Sequence, residues 1–180
     1  FIGSHTVVEL QNAGYEVVII DDLSNASEDV LDGIEAITGK RPEFEKLDLR
    51  DRNAVSAFFK KYADVSGAIH FAASKAVGES VHKPLLYYEN NLSSLVYLLK
   101  ELTEKASANF IFSSSCTVYG QADELPITEN APVKPAESPY GNTKQIGEEI
   151  IRDTAKVYEN FNAIALRYFN PIGAHESVEI

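Results

Sequence analysis

The stretch Gly14-Tyr15-Glu16-Val17-Val18-Ile19-Ile20-Asp21 decides the fold of this 180-residue chain. A glycine suited to end a helix is followed by a short, continuous apolar run and then by an acid. A run of this kind is typical of a strand buried on both faces of a parallel sheet. The preceding residues, 3–14, are predicted to be helical, with Val7, Val8 and Leu10 as apolar positions. A helix, a glycine turn and a buried strand in this order indicate an α/β protein.

The same alternation of helices and strands continues to the end of the chain. The predicted helices are 27–38, 52–63, 84–105 (with Pro84 in its first turn) and 140–159. The predicted strands are 16–20, 44–49, 67–72, 110–112 ending in Ser113-Ser114-Ser115, and 163–168. The polar segment 120–139 is long for a connector, which favours a functional loop. This order predicts a Rossmann-like, doubly wound parallel sheet in three layers, α/β/α.

No strand precedes the helix that starts at Gly3. A doubly wound sheet of order 3-2-1-4-5-6 has its first strand at the centre, where it pairs on both sides. The chain also contains no methionine. We therefore expect that roughly ten residues, including the first strand, are missing, and that the isolated chain folds poorly because two strands would face a gap.

Composition and charge exclude several classes of partner. Lys and Arg number 16 against 27 Asp and Glu, which gives a net charge of −11. An acidic surface argues against nucleic acid and against an anionic membrane, and no apolar run is long enough to span a bilayer. The single cysteine, Cys116, excludes an internal disulfide and indicates a reducing compartment such as the cytoplasm.

A helix start followed by an acid suggests a dinucleotide site. The helix that begins at Gly3 presents backbone N–H groups to a pyrophosphate. Asp21, at the end of the next strand, can accept hydrogen bonds from a ribose diol and repels a 2′-phosphate, which favours NAD over NADP. Asp48, before Leu49, follows another strand and could bond an adenine amino group. The alternative is that Gly3 only packs and that the acids occupy ordinary turns.

Small residues follow the strand 67–72. The segment Phe71-Ala72-Ala73-Ser74-Lys75 would allow a ligand to approach the backbone closely. Ligands of doubly wound sheets bind beyond the carboxyl ends of the strands, so this position favours function over a tightly packed strand end.

Tyr140-Gly141-Asn142-Thr143-Lys144, with Ser115 upstream, is the most informative motif. Tyr140 and Lys144 are four residues apart and project from one helix face. An ammonium and the positive nicotinamide ring favour the phenolate, and lowering the tyrosine pKa by ~3 units requires about 4 kcal/mol. Ser115 could bond both the tyrosine and a substrate hydroxyl. The alternative is a solvent-facing pair on a helix surface.

Other reactive residue types show no catalytic pattern. The histidines, at positions 5, 70, 82 and 175, are scattered without metal-ligand spacing, so no metal site is predicted. Cys116 is interpreted as a packing residue, and Lys60-Lys61 as a solvated helix end.

These motifs resemble the extended short-chain dehydrogenase/reductase superfamily, and within it the nucleotide-sugar 4-epimerases. The resemblance runs the whole length of the chain. The matching segments are Phe1–Thr6, His70–Ser80, Tyr87–Asn91, Ser113–Gly120, Ser138–Lys144 and Arg167–Pro171.

The resemblance implies roles for individual residues. Tyr140 would be the catalytic base, Lys144 its electrostatic partner and a ribose ligand, and Ser115 would position the sugar 4-hydroxyl. The implied cofactor-binding residues are Phe1, Ile2, Asp21, Asp22, Leu23, Asn25, Asp48, Leu49, Phe71, Ala72, Ala73, Lys75, Asn90 and Phe169, with Tyr140 and Lys144. The implied substrate-binding residues are Lys75, Ser115, Tyr140 and Asn170.

The implied activity is the interconversion of UDP-glucose and UDP-galactose by transient oxidation at C4, with NAD bound throughout. The implied assembly is a homodimer. Residues 1–180 would form part of the NAD-binding domain, and the substrate lobe that follows it in the family is absent, so the chain is expected to be an inactive fragment. The alternatives are a related epimerase, dehydratase or decarboxylase, or an NAD-binding sensor without catalysis. Cys116-Thr117 stand where dehydratases carry an acid pair, which counts against that class.

Overall fold

The computed structural model describes residues 1–177 and 179–180. The chain divides into two compact units, one formed by Phe1–Asp48 with Pro171–Ile180 and the other by Leu49–Asn170. Both units combine helices with parallel strands, which confirms the predicted α/β class.

The first unit contains two helices and two strands. They are α1 (Ile2–Asn12), β1 (Val18–Asp21), α2 (Asp29–Thr38) and β2 (Glu43–Lys46). The two strands pair in parallel, from Val18 opposite Glu43 to Asp21 opposite Lys46. Their carboxyl ends therefore lie side by side.

A small core holds the first unit together. Val7, Val8 and Ile34 are buried at its centre, and Val17 and Ile19 of the predicted strand pack against them. The turn between α1 and β1 contains Gly14 at φ +86°, a left-handed conformation that glycine adopts without a steric cost. Gly14 thus ends α1 as predicted, and the return of the chain brings the start of α1 toward the carboxyl end of β1.

The second unit contains five helices and three strands in the part of the chain that the structure describes. They are α3 (Arg52–Lys61), β3 (Gly67–His70), α4 (Val77–His82), α5 (Pro84–Tyr88), α6 (Ser94–Thr103), β4 (Ala108–Ser115), α7 (Pro139–Val157) and β5 (Phe161–Tyr168). A π-helical turn (Glu89–Ser93) links α5 to α6, and a 3-10 turn (Cys116–Tyr119) follows β4.

The sheet of the second unit has the order β3-β4-β5, all parallel. β4 lies in the middle and pairs along its full length with β5, so that Ser115 stands opposite Tyr168. In each unit, the strands that pair (β1 with β2, β3 with β4, and β4 with β5) are consecutive along the chain and parallel, as in a doubly wound fold.

Three sequence predictions of the elements were incomplete. The predicted helix 84–105 is interrupted by the π-helical turn, and α4 was not predicted. Pro84 does occupy the first turn of α5. β4 begins two residues before the predicted Phe110, because Ala108 and Asn109 already pair with Phe161 and Asn162 of β5, and it ends at Ser115 as predicted.

Candidate active site

The start of α7 is fixed by local chemistry. The Oγ of Ser138 accepts a hydrogen bond of 3.1 Å from the N–H of Gly141, a side-chain cap of the helix N-terminus. Pro139 occupies the first turn, where its missing N–H costs nothing. A Cβ on Gly141 would lie 3.3 Å from the Cβ of Thr117, so glycine allows close packing on the 3-10 turn. Tyr140 is thereby held beside the end of β4.

Tyr140, Lys144 and Ser115 come together at this point. Lys144 is 4% exposed, and its Nζ donates a hydrogen bond of 2.7 Å to the carbonyl oxygen of Ser113. The same Nζ lies 5.8 Å from the ring centre of Tyr140 and 4.9 Å from that of Phe112. Ser115, 7% exposed, ends β4. Lys144 is therefore buried and Tyr140 half-buried, so the pair does not lie on a fully solvent-facing helix surface.

The ionisation of these groups differs in part from expectation. Burial raises the pKa of Tyr140 above its ordinary value, a hydrogen bond with Ser115 lowers it, and Cys116 raises it. Burial lowers the pKa of Lys144 to about 8. Removal of the phenolate from water therefore outweighs the effect of Ser115 on the pKa of Tyr140. That an ammonium and a bound nicotinamide ring together lower this pKa stays a prediction.

His70, the last residue of β3, is a core residue. It is 3% exposed, and its ring is stacked 6.2 Å from that of Phe112 and 6.3 Å from that of Phe110. Burial, and secondarily the charge of Lys144, lowers the pKa of His70 to about 3. His70 is therefore neutral at physiological pH. In the described part of the chain, no group of three or more His, Cys, Asp or Glu residues could hold a metal ion.

Asn91, in the π-helical turn, connects the loop after β3 to α7. Its Oδ1 accepts a hydrogen bond of 2.8 Å from the N–H of Ser74, and its Nδ2 donates one of 2.9 Å to the Ser74 carbonyl oxygen. The Nδ2 also donates to Thr143 Oγ1 at 3.1 Å, and Thr143 in turn donates to the Tyr140 carbonyl oxygen. Asn90 donates to Ser74 Oγ at 3.1 Å. A π-helical turn is often found at functional sites.

Glu148 and Arg167 form a second buried connection that the sequence analysis did not identify. Glu148 lies one turn beyond Lys144 on α7 and is 8% exposed. Its carboxylate accepts hydrogen bonds of 2.6 Å from Ser114 Oγ and of 2.9 and 2.7 Å from Arg167. The sequence does show an acid, Glu148, four residues after Lys144 on the same helix face. Its partners could not be inferred, because they lie far away along the chain.

In the first unit, the predicted ribose acid ends a strand. Asp21 Oδ1 accepts a hydrogen bond of 2.8 Å from the N–H of Leu23, and Asp22 Oδ1 accepts one of 2.9 Å from the N–H of Ser24. Leu23 has φ +59°, a left-handed conformation that costs a residue with a Cβ on the order of 1 kcal/mol. Leu47 N–H donates to the Asp21 carbonyl oxygen at 3.1 Å, so the segment after β2 lies beside this turn.

Phe1 and Ile2 begin α1. Phe1 occupies the N-cap position and has no side-chain acceptor for the N–H groups of the first turn. Its carbonyl oxygen accepts a hydrogen bond of 2.8 Å from Ser4 Oγ. Uncapped N–H groups at a helix start bind phosphate oxygens in dinucleotide-binding folds.

The other predicted ligands lie in loops at strand ends. Phe71, Ala72, Ala73 and Lys75 follow β3, and Phe169 and Asn170 follow β5. Asn25 lies between β1 and α2, and Asp48 and Leu49 follow β2. Lys75, Phe169, Asn170 and Asn25 are exposed, and their roles as ligands stay predictions. Each helix in the described part of the chain is too short or too polar to cross a membrane.

Fold and site together define an α/β protein with a tyrosine, a lysine and a serine at the carboxyl edge of a parallel sheet. The chain belongs to the NAD dependent epimerase/dehydratase family, whose sequence profile matches residues 1–179.

Similar proteins are curated as epimerases. The chain is 48% identical to a UDP-glucose 4-epimerase of Haemophilus influenzae over 98% of its own length and 52% of that protein. It is 47% identical to a UDP-glucose 4-epimerase of Bacillus subtilis, covering 100% of the chain and 52% of the relative. The chain therefore spans about half the length of the curated relatives it matches.

A solved structure also matches the fold. The UDP-glucose 4-epimerase of Bifidobacterium longum, solved with NAD+ and UDP, is 44% identical and superposes with a TM-score of 0.96. The match covers 100% of this chain and 53% of the other.

Proposed function

We propose that this chain is the cofactor-binding part of an enzyme that interconverts UDP-glucose and UDP-galactose. The observation that carries the proposal is the contact of Tyr140 with Ser115, with the buried Lys144 one helical turn away. The similarity to curated epimerases supports the choice of substrate.

The residues present fit NAD. Uncapped N–H groups at the start of α1 suit a pyrophosphate, and a carboxylate at the end of β1 suits a ribose diol. The proposed cofactor ligands are the following set: Phe1, Ile2, Asp21, Asp22, Leu23, Asn25, Asp48, Leu49, Phe71, Ala72, Ala73, Lys75, Asn90, Tyr140, Lys144 and Phe169. When bound, NAD would supply the acceptor and donor of the hydride for C4 of the sugar.

Tyr140 supplies the proton chemistry. Its phenolate takes the proton of the sugar 4-hydroxyl as the C4–H bond breaks, and its phenol returns that proton when the C4–H bond forms again. Ser115 orients the 4-hydroxyl, and the ammonium of Lys144 stabilises the phenolate. Lys75 and Asn170 are proposed to contact the nucleotide sugar. The sugar is oxidised and then reduced, so the reaction is redox-neutral overall.

The sequence disfavours the alternatives. A β-elimination needs a carboxylic acid near the sugar, and Cys116 and Thr117 hold the positions after Ser115. A sensor that has lost catalysis has no need of a buried, desolvated cation beside a tyrosine, because such a group costs stability. A homodimer, a cytoplasmic location and a second, substrate-binding lobe belong to the same proposal.

The test uses the protein expressed from its complete coding sequence. UDP-galactose is added without NAD, and UDP-glucose is followed by chromatography. The proposal predicts conversion that Tyr140→Phe abolishes while its melting temperature stays within a few degrees. Conversion by neither protein, with NAD still released on denaturation, would reject the substrate but keep the cofactor site.

A further inference from the structure

One face of α7 carries three residues that each lie against one of three consecutive serines of β4. The Tyr140 side chain lies beside that of Ser115, Lys144 donates a hydrogen bond to the Ser113 carbonyl oxygen, and Glu148 accepts one from the Ser114 hydroxyl. The three helix residues are spaced four apart and therefore lie one turn from each other along one face. Two of these contacts involve proposed catalytic side chains. The third, at Glu148, has no assigned function.

Glu148 makes the strongest contact of the three. It accepts three hydrogen bonds of 2.6 to 2.9 Å, two of them in a forked arrangement from the Arg167 guanidinium. Charge-assisted, bidentate bonds of this type fix geometry more tightly than neutral ones. Although burial raises the pKa of Glu148, bonds from Arg167 and Ser114 outweigh it and hold the pKa below its ordinary value. The carboxylate is therefore charged at neutral pH and keeps all three bonds.

Arg167 extends this contact to two further elements. It lies in β5 opposite Ser114, so the carboxylate joins α7 to two neighbouring strands at the same level of the sheet. Its guanidinium also lies 4.8 Å above the ring of Tyr119, in the 3-10 turn that follows Ser115. The Glu148–Arg167 ion pair therefore contacts both α7 and the 3-10 turn that follows Ser115.

We propose that Glu148, with Ser114 and Arg167, is a positioning group. It fixes the position of α7 along β4, so that Tyr140 and Lys144 lie close to Ser115. The effect of this group on activity rests on the proposed function. Its effect on the position of α7 rests only on the contacts described above. A helix that lost this anchor would be free to slide or tilt by a fraction of an ångström. Tyr140 would then shift relative to Ser115, and shifts near 1 Å can cost about a hundredfold in rate.

Two variants separate geometry from charge. Ser114→Ala removes the bond between β4 and Glu148 and leaves the ion pair with Arg167 in place. Glu148→Gln removes the charge and weakens the hold on Arg167. Glu149→Gln, the exposed acid that follows on the same helix, is the matched control.

The measurement is the apparent pKa of Tyr140 in the complete protein with NAD added. It is obtained from phenolate absorbance as the difference between each protein and the same protein with Tyr140→Phe. The pH dependence of kcat for UDP-galactose is measured beside it. Both anchor variants are expected to raise the apparent pKa by about one unit, since the Ser115 bond that lowers it is weakened. They are also expected to lower kcat at neutral pH on the order of tenfold, with KM nearly unchanged.

Each other outcome overturns the proposal. A lower melting temperature with an unchanged Tyr140 pKa would mean that the anchor is only structural. A fall of the Tyr140 pKa in Glu148→Gln alone would mean that the carboxylate acts through its charge. If Glu148→Gln does not fold, Ser114→Ala decides. If the parent protein does not convert UDP-galactose, the proposed function fails, and the absorbance titration still tests the anchor.

Discussion

The Nζ of Lys144 donates a hydrogen bond of 2.7 Å to the carbonyl oxygen of Ser113, two residues before Ser115, which lies beside Tyr140. This bond holds a buried ammonium between the sheet and the tyrosine ring. Burial lowers the pKa of Lys144 from 10.5 to about 8, so the cation is kept at a cost in stability. Residues retained at such a cost are typical of functional sites.

Replacement of this lysine should separate stability from function. A pKa displaced from 10.5 to about 8 corresponds to about 3 kcal/mol against the charged form. Lys144→Met removes that penalty but leaves the Ser113 carbonyl without its donor, so we expect the free energy of unfolding to change by less than about 2 kcal/mol. Activity should fall at least about a hundredfold, because the phenolate loses its stabilising charge.

Urea unfolding and steady-state kinetics of the complete protein check this expectation. Lys156→Met, three turns further along α7 and exposed, is the control for loss of a lysine from this helix. Activity of Lys144→Met within tenfold of the parent would refute the role of the ammonium.

The buried histidine predicts how stability depends on pH. The pKa of His70 is about 3 in the folded protein against 6.5 ordinarily, so between these values the unfolded chain binds a proton that the folded chain does not. The stability is fully present above pH 6.5 and falls as the pH decreases, by about 1.4 kcal/mol per pH unit. His70→Gln should flatten this slope between about pH 6.5 and 5.5, above most of the range in which carboxylates titrate.

Urea unfolding at several pH values, followed by circular dichroism, measures the slope. The exposed His82 provides the control variant His82→Gln, which should keep the slope of the parent. Equal slopes for the parent and His70→Gln would show that another group controls the pH dependence.

Two helical glycines should respond to alanine in opposite directions. A Cβ on Gly147 in α7 would lie 2.7 Å from Cζ of Phe112, the ring over which the Lys144 ammonium lies, whereas a Cβ on Gly78 in α4 would meet nothing within 4 Å. Gly147→Ala should therefore destabilise the protein by about 1–3 kcal/mol and reduce activity. Gly78→Ala should stabilise it by up to about 1 kcal/mol, the ordinary gain of alanine in a helix. Urea unfolding of both variants tests the pair, and a stable, active Gly147→Ala would contradict the packing of α7 on β4.

The acid at the end of β1 should control the choice between NAD and NADP. Asp21→Asn keeps the side-chain oxygen that bonds the Leu23 N–H and removes only the charge. We expect weaker NAD binding and measurable NADP binding, because the repulsion of a 2′-phosphate is lost. Titration calorimetry with each nucleotide checks this, with the exposed Asp29→Asn as control. An unchanged preference for NAD would mean that Asp21 does not bind the ribose.

Features that depend only on residues close together in the sequence could be predicted from local patterns. The four-residue spacing of Tyr140 and Lys144 fixes a common helix face, and Gly14 marks a helix end, because both effects act within one or two turns. The order of helices and buried runs likewise predicted parallel strands.

The contacts that complete the site could not be predicted in the same way. Glu148 meets Ser114 and Arg167 across 34 and 19 residues of chain, and Asn91 meets Thr143 across 52. Such partners are set by the register of one element on another, which a single sequence does not specify.

The central claim, reversible oxidation at C4 by this site, is tested most directly with UDP-galactose that carries deuterium at C4. The label is followed in the UDP-glucose formed by the complete protein in ordinary water, with Tyr140→Phe as the control. The account predicts that the product keeps deuterium at C4, because the hydride leaves and returns without meeting solvent, and that the variant forms no product. Loss of the deuterium to water, or conversion by Tyr140→Phe at the parent's rate, would contradict it.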